Sequence, residues 1–150
     1  MAETLSHSQS YKFPKAQKLW GETSVDLLFT KGTGFSRFPL RVVYLTKSEL
    51  RAGEAPLRMM VSVGKKRFKR AVKRNRVKRL VREAWRLRKG EVEAAIAASP
   101  FKGLYVAFVF IGKELPTMGQ VEASVGKSVQ KLVAAVAADA ACQYGADDAQ

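Results

Sequence analysis

Cysteine is nearly absent: Cys142 is the only one in 150 residues, so no intrachain disulfide can form and no Cys/His set has zinc-site spacing. That usage suits a reducing cytoplasm, the compartment expected for the chain. Histidine is equally scarce, with His7 alone in a polar N-terminal stretch, which excludes a two-histidine ribonuclease mechanism. Long apolar runs are missing too. The longest, LYVAFVFI at 104–111, is far short of the roughly 20 residues that span a bilayer, and the opening MAETLSHSQSYK has no signal-type apolar core. A soluble protein with no membrane partner is expected. Acidic residues are few, 13 against 27 Lys and Arg, and are too dispersed to resemble a two-metal carboxylate site. Glu91 and Glu93 read as helix-surface residues, and Cys142, with no base partner, reads as inert. The chain therefore offers no catalytic residue and no metal ligand of its own.

A hydrophobic share of 47% in a chain of this length fits one domain that buries about two thirds of its unfolded surface. The expected division is a disordered tail at 1–12, a single domain at 13–140 and a second disordered tail at 141–150. The formal net charge is +14 and the isoelectric point near 10.2, which favours a polyanionic partner. Residues 65–89 hold fourteen of the basic side chains and only Glu83 on the acidic side, so nearly all the excess charge sits in one segment.

Along the chain, Thr23 or Ser24 caps a short helix that the glycines at 32 and 34 end, with Val25, Leu28 and Phe29 on one side. FPLRVVYL at 38–45 and PLRMMVSVG at 56–64 read as strands, joined by TKSELRAGEA as a polar hairpin loop. The basic segment follows, ending at RKG and an alanine-rich EVEAAIAAS ahead of Pro100. LYVAFVFIG then reads as a strand apolar on both faces, as in a sheet interior. Thr117 and Gln120 form a capping box for a last helix with Val121, Val125, Val129, Leu132, Val133 and Val136 on one face, frayed after about residue 140. The reading is an α+β fold, an α/β sandwich with one small mixed sheet packed with helices. Its order is helix, strand, strand, helix, strand, helix, with the basic helix after the second strand.

Within KRAVKRNRVKRLVREAW at 69–85, Val77, Leu80, Val81 and Ala84 recur at i, i+3, i+4 and i+7, the spacing of a helix that docks one stripe. Asn75, Arg79, Arg82 and Arg86 form an exposed row on the other side, with Lys78 beside it. A merely solvated face would alternate in sign, since like charges at i and i+4 cost roughly 0.2–0.5 kcal/mol per pair. A leucine zipper fails on length, because the chain meets Gly90 and then Ser99 and Pro100. A calmodulin-type or membrane-surface helix needs a free apolar face, which the sheet claims here. A nuclear-localisation patch fits by composition and says nothing about the folded function. Guanidinium forks and an amide suit phosphates, bases and ribose hydroxyls, so the row reads as an RNA or DNA surface.

That stretch, with its core Arg74, Asn75 and Arg76 followed by Lys78, Arg79 and Arg82, resembles the protein component of bacterial ribonuclease P. VSVGKK at 61–66, DLLFTKG at 26–32 and LYVAFVFIG agree with the same family, and the likeness covers most of residues 19–135. The chain departs from many members in reading FKRAV where they have Gly-Asn before Ala-Val. The resemblance implies an endoribonuclease whose active site is RNA, which removes the 5′ leader of precursor tRNA while the protein assists by binding the RNA subunit and the single-stranded leader. It implies no cofactor on the protein alone, with magnesium held mainly by the RNA. It implies RNA contacts at Lys65, Lys66, Arg74, Asn75, Arg76, Lys78, Arg79, Arg82 and Arg86. It also implies a leader cleft between the basic helix and the sheet, lined by Val25 and Phe29 with Lys78 nearby, and a left-handed strand-helix-strand crossover. Without the resemblance Phe29 reads as a core residue. The alternative, from a different class, is a ribosomal or general RNA-binding protein with no catalytic partner.

Overall fold

A computed structural model describes residues 17–19, 21–50 and 53–148. The chain runs α1 (Glu22–Lys31), β1 (Thr33–Arg37), β2 (Leu40–Lys47), β3 (Leu57–Ser62), α2 (Ala71–Ala97), β4 (Gly103–Phe110) and α3 (Met118–Asp148). The strands make one mixed sheet in the order β1-β2-β4-β3, with β4 antiparallel to β2 and parallel to β3. The α+β sandwich is as expected, with one strand more.

That strand is β1. TGFSR is short and exposed along most of its length, so it lacks the apolar alternation that marks a strand. Its turn into β2 is Phe38-Pro39, without the Asn-Gly or Asp-Gly that advertises a tight hairpin. The strand read at 38–45 therefore begins at Leu40. The segment between β2 and β3 is not a hairpin loop either: β4 lies between those strands, so the chain crosses over there. β4 is buried at every position but Val109, which is what its uninterrupted apolar run requires of a central strand.

Alternation in β2 and β4 sorts the core onto two faces. Leu40, Val42, Leu104, Val106 and Phe108 lie with Val77, Val81, Ala84 and Trp85 of α2 and with Val125, Val129 and Leu132 of α3. On the opposite face Val43, Tyr105 and Ala107 lie with Leu28 of α1 and Leu19. Each large side chain so buried stabilises by roughly 1.5–3 kcal/mol. The Trp85 ring meets Phe108 edge-on at 5.5 Å, which ties the centre of the basic helix to the central strand.

Helix boundaries depart from the reading in three places. Gly21, with φ of +96°, stands at the N-cap of α1 in place of Thr23 or Ser24. α1 does stop at Gly32, whose N–H donates to the Leu28 carbonyl at 2.7 Å; a Cβ there would run into that carbonyl oxygen and lie 2.9 Å from that of Tyr44. α2 passes through Gly90 without a break. A mid-helix glycine costs about 1 kcal/mol against alanine, and burial of Val92 and Ile96 beyond it outweighs that. A zipper is still excluded, because the helix ends at Ala97 and its apolar stripe is occupied by its own sheet. α3 runs to Asp148, into the segment read as a disordered C-terminal tail, since Ala140 and Ala141 extend the helix-forming sequence beyond Asp139. The 1–12 tail lies outside the described residues. The capping box is as read: the Thr117 N–H donates to Gln120 Oε1 at 2.9 Å and the Gln120 N–H to Thr117 Oγ1 at 3.2 Å. No helix among the described residues is long and apolar enough to cross a membrane.

Candidate nucleic-acid interface

α2 separates its two chemistries as its periodicity predicts. Val77, Val81, Ala84 and Trp85 are at most 1% exposed, while Leu80 is only half-buried at the margin of the stripe. Asn75, Arg76, Arg79 and Arg82 are exposed, and Arg86 and Lys78 are half-buried. Asn75, Arg79, Arg82, Glu83 and Arg86 line one shallow depression. Lys65 and Lys66 are exposed in the turn that leaves β3.

Two of the expected RNA contacts, Arg86 and Arg74, are already engaged. Arg86 donates to both carboxylate oxygens of Glu83, from Nε at 3.1 Å and Nη2 at 2.6 Å. Those hydrogen bonds hold the Glu83 carboxyl below the usual carboxylate range and raise Arg86 further above its own. The row is thus cationic at Arg79 and Arg82 and locally neutralised at Arg86. Arg74 turns back from the exposed row: its Nη1 donates to the carbonyls of Phe68 and Lys69, each at 2.8 Å. Arg70 at the N-cap supplies no side-chain cap, and Arg74 ties the entry loop to the first turn instead.

The entry loop itself escaped the sequence reading. Arg67, Lys69, Arg70 and Lys73 line a second depression, together with Lys113, Glu114 and Leu115 from the loop after β4. Phe68 anchors this loop, buried and stacked on Phe110 at 5.7 Å. The signal was the Phe among cations at 65–70: one apolar side chain in a basic run marks where the chain touches the core. The helical repeat, counted from Asn75, does not reach it.

Val25 and Phe29 belong elsewhere. Both lie on α1, which covers the sheet face opposite α2 and makes no contact with α2 among the described residues. The expected cleft between basic helix and sheet therefore does not contain them, and α1 is not in contact with the helix that bears Lys78. The reason is the strand alternation, which sends odd-numbered side chains of β2 and β4 to α1 and even-numbered ones to α2. Phe29 is not a core residue, because it stays 45% exposed while its neighbour Leu28 is fully buried. A half-wetted aromatic beside the half-buried Val25 on α1 is a surface suited to a stacked base.

No three His, Cys, Asp or Glu side chains gather as a metal site among the described residues. The half-buried Glu54 serves structure: it pairs with Arg58 at 2.9 Å and accepts from the Tyr105 hydroxyl at 2.7 Å.

Comparison with known proteins agrees with this arrangement. The family model for ribonuclease P matches residues 13–135. The ribonuclease P protein component of Porphyromonas gingivalis is 40% identical over 131 residues, covering 87% of this chain and 93% of that protein. That of Chlorobaculum tepidum is 30% identical over 135 residues, covering 86% and 88%. In fold, the ribonuclease P protein of Staphylococcus aureus superposes with a TM-score of 0.61 at 22% identity, over 81% of this chain and 98% of that one. The Thermotoga maritima protein gives 0.58 at 21% identity, over 76% and 96%. With the whole domain matched by the family model and by relatives at this identity, the chain belongs to the ribonuclease P protein family.

Proposed function

We propose that α2 seats this protein on the RNA subunit of ribonuclease P while α1 receives the single-stranded 5′ leader of precursor tRNA. Family membership makes the chain the protein subunit of a tRNA-processing endoribonuclease whose chemistry is carried by RNA. The observation that supports the RNA contact is the division of α2: its apolar stripe is used up by the sheet and α3, so the exposed cations are the surface left for a partner. Lys65, Lys66, Arg76, Arg79 and Arg82 neutralise phosphates and release counterions, with Lys78 and Arg86 at the edge of the same surface. Asn75 adds a donor and an acceptor for base or ribose edges. Arg74 acts chiefly by fixing the loop that leads into the helix.

Among the described residues no three His, Cys, Asp or Glu side chains gather to hold a magnesium ion. Magnesium belongs, in this proposal, with the RNA. The protein's contribution is electrostatic and positional, bringing two polyanions together and holding a flexible leader against Val25 and Phe29. The cytoplasm, where precursor tRNA is processed in bacteria, is the proposed compartment.

The test compares precursor and mature tRNA binding to the reconstituted holoenzyme. Phe29→Ala should weaken binding of tRNA carrying a leader by about fivefold or more, the worth of one base stack, and leave mature tRNA and the melting temperature unchanged. An equal loss on both tRNAs, or none on either, would remove α1 from the leader path.

A further inference from the structure

A cationic groove with an exposed aromatic adjoins the entry-loop depression and is lined by no residue of the α2 row or of α1. The turn between β1 and β2 carries Phe38, 76% exposed, and across from it the loop after β4 carries Leu115, 39% exposed. They line a groove of about 800 Å³ whose charged residues are Arg37, Lys113, Lys127 and Glu114. Single exposed apolar residues are ordinary. Here two of the few large ones converge among three cations and one acid.

The backbone under Phe38 is held on both sides. The Ser124 hydroxyl of α3 donates to the Arg37 carbonyl, and the Ile111 N–H donates to the Pro39 carbonyl at 2.9 Å. The Arg37 guanidinium lies 5.4 Å from the Phe35 ring and donates to the Ser36 carbonyl at 2.8 Å. The groove also continues into the basic surface, because Lys113, Glu114 and Leu115 line both it and the depression formed by Arg67, Lys69, Arg70 and Lys73 ahead of α2. An aromatic platform ringed by cations and joined to a phosphate-binding surface matches a nucleotide, whose base offers a face to stack and whose phosphate needs a counter-charge. A protein segment docking on Phe38 would have to bring acids for Lys113, Lys127 and Arg37.

We infer that this groove takes an unpaired nucleotide of the ribonuclease P RNA, its base stacked on Phe38 and its flanking phosphates on Lys113 and Lys127. The inference rests on the proposal that α2 faces that RNA and extends the contact past the β4–α3 loop. It is tested on the full chain with the RNA subunit from the same organism, by measuring affinity at several salt concentrations and nucleotide-resolution footprints. Phe38→Ala should lower affinity about fivefold or more without changing the salt slope, since a stack releases no counterions. Lys113→Gln with Lys127→Gln should flatten the slope by about 1.4–1.8, at roughly 0.7–0.9 per lost phosphate. Both variants should expose the same unpaired nucleotide in the footprint. Arg79→Gln with Arg82→Gln is the reference. If that pair weakens binding while Phe38→Ala leaves affinity and footprint intact, the groove inference falls and the α2 reading stands; if neither matters, both fall. A dimer seen by sedimentation that Phe38→Ala abolishes, with RNA affinity unchanged, would assign the groove to a second copy of the chain and overturn the inference.

Discussion

Substituting opposite sides of α2 should damage two different properties. Val81 is fully buried against the sheet, and Val81→Ala removes two carbons from that site. At about 0.8 kcal/mol per buried methylene, with a further cavity cost, the loss is about 2 kcal/mol. In a domain of this size that lowers the melting temperature by about 4–8 °C. Arg79 and Arg82 are exposed, so changing both to Gln should leave the melting temperature in place. Binding to the RNA subunit should respond the other way: the Arg pair lowers affinity and flattens the salt slope by about 1.4–1.8. Val81→Ala should bind normally until it unfolds. Thermal melting by circular dichroism and filter binding across a salt series read the two effects. An Arg79/Arg82 variant that melts early, beside a Val81 variant that stays stable yet cannot bind, would mean that the helix meets its partner through the apolar stripe.

Four further outcomes follow from the same geometry. Neutralisation of about six phosphates gives the wild-type protein a log-affinity slope of about −4 to −5 against log salt, and a slope near zero would refute the electrostatic account. Glu83→Gln removes the acid that Arg86 grips, so the slope should steepen by about 0.7–0.9; an unchanged slope would place Arg86 outside the interface. Gly32→Ala puts a Cβ into the Leu28 carbonyl and should cost roughly 1–3 kcal/mol, read as a lower melting temperature. Tyr105 is held above the usual phenol value, first by burial and then by its hydrogen bond to Glu54. Its neutral form is favoured by folding, so the stability it contributes is present below the unfolded phenol value and lost as pH rises through the folded one. Tyr105→Phe should remove one late step from the alkaline absorbance titration, and an unaltered titration would contradict that assignment.

Much of this molecule can be read from side-chain pattern because pattern reports burial directly. The stripe Val77, Val81 and Ala84, the apolar run of β4 and the Thr117/Gln120 box each state a local environment that the fold supplies. Strand order is different. Nothing local says that β4 slides between β2 and β3, because that arrangement is chosen by how α2 packs back on the sheet, a long-range matter. β1 hid because five mostly exposed residues carry no alternation, and Phe38-Pro39 lacks the composition of a tight turn. For the interface, composition located the right segment, and the helical repeat divided its faces. Arg74, an RNA contact only by resemblance, and Arg86, a member of the exposed row, both have partners that depend on side-chain direction: two carbonyls of the entry loop and Glu83 one turn away. The Glu83 pairing was visible in its i, i+3 spacing to Arg86. The resemblance joined Val25, Phe29 and Lys78 in one cleft, but the alternation of β2 and β4 puts α1 and α2 on opposite faces of the sheet.

As a member of the ribonuclease P protein family, this chain is expected to assist a catalytic RNA. Precursor tRNA incubated at low magnesium with the protein, with the organism's ribonuclease P RNA, and with both tests it most directly. Cleavage at the mature 5′ end is expected only when the RNA is present, with a marked stimulation when the protein is added. Cleavage by the protein alone would contradict the assignment of chemistry to RNA, and an RNA indifferent to the protein would reduce the chain to an RNA binder without a catalytic partner.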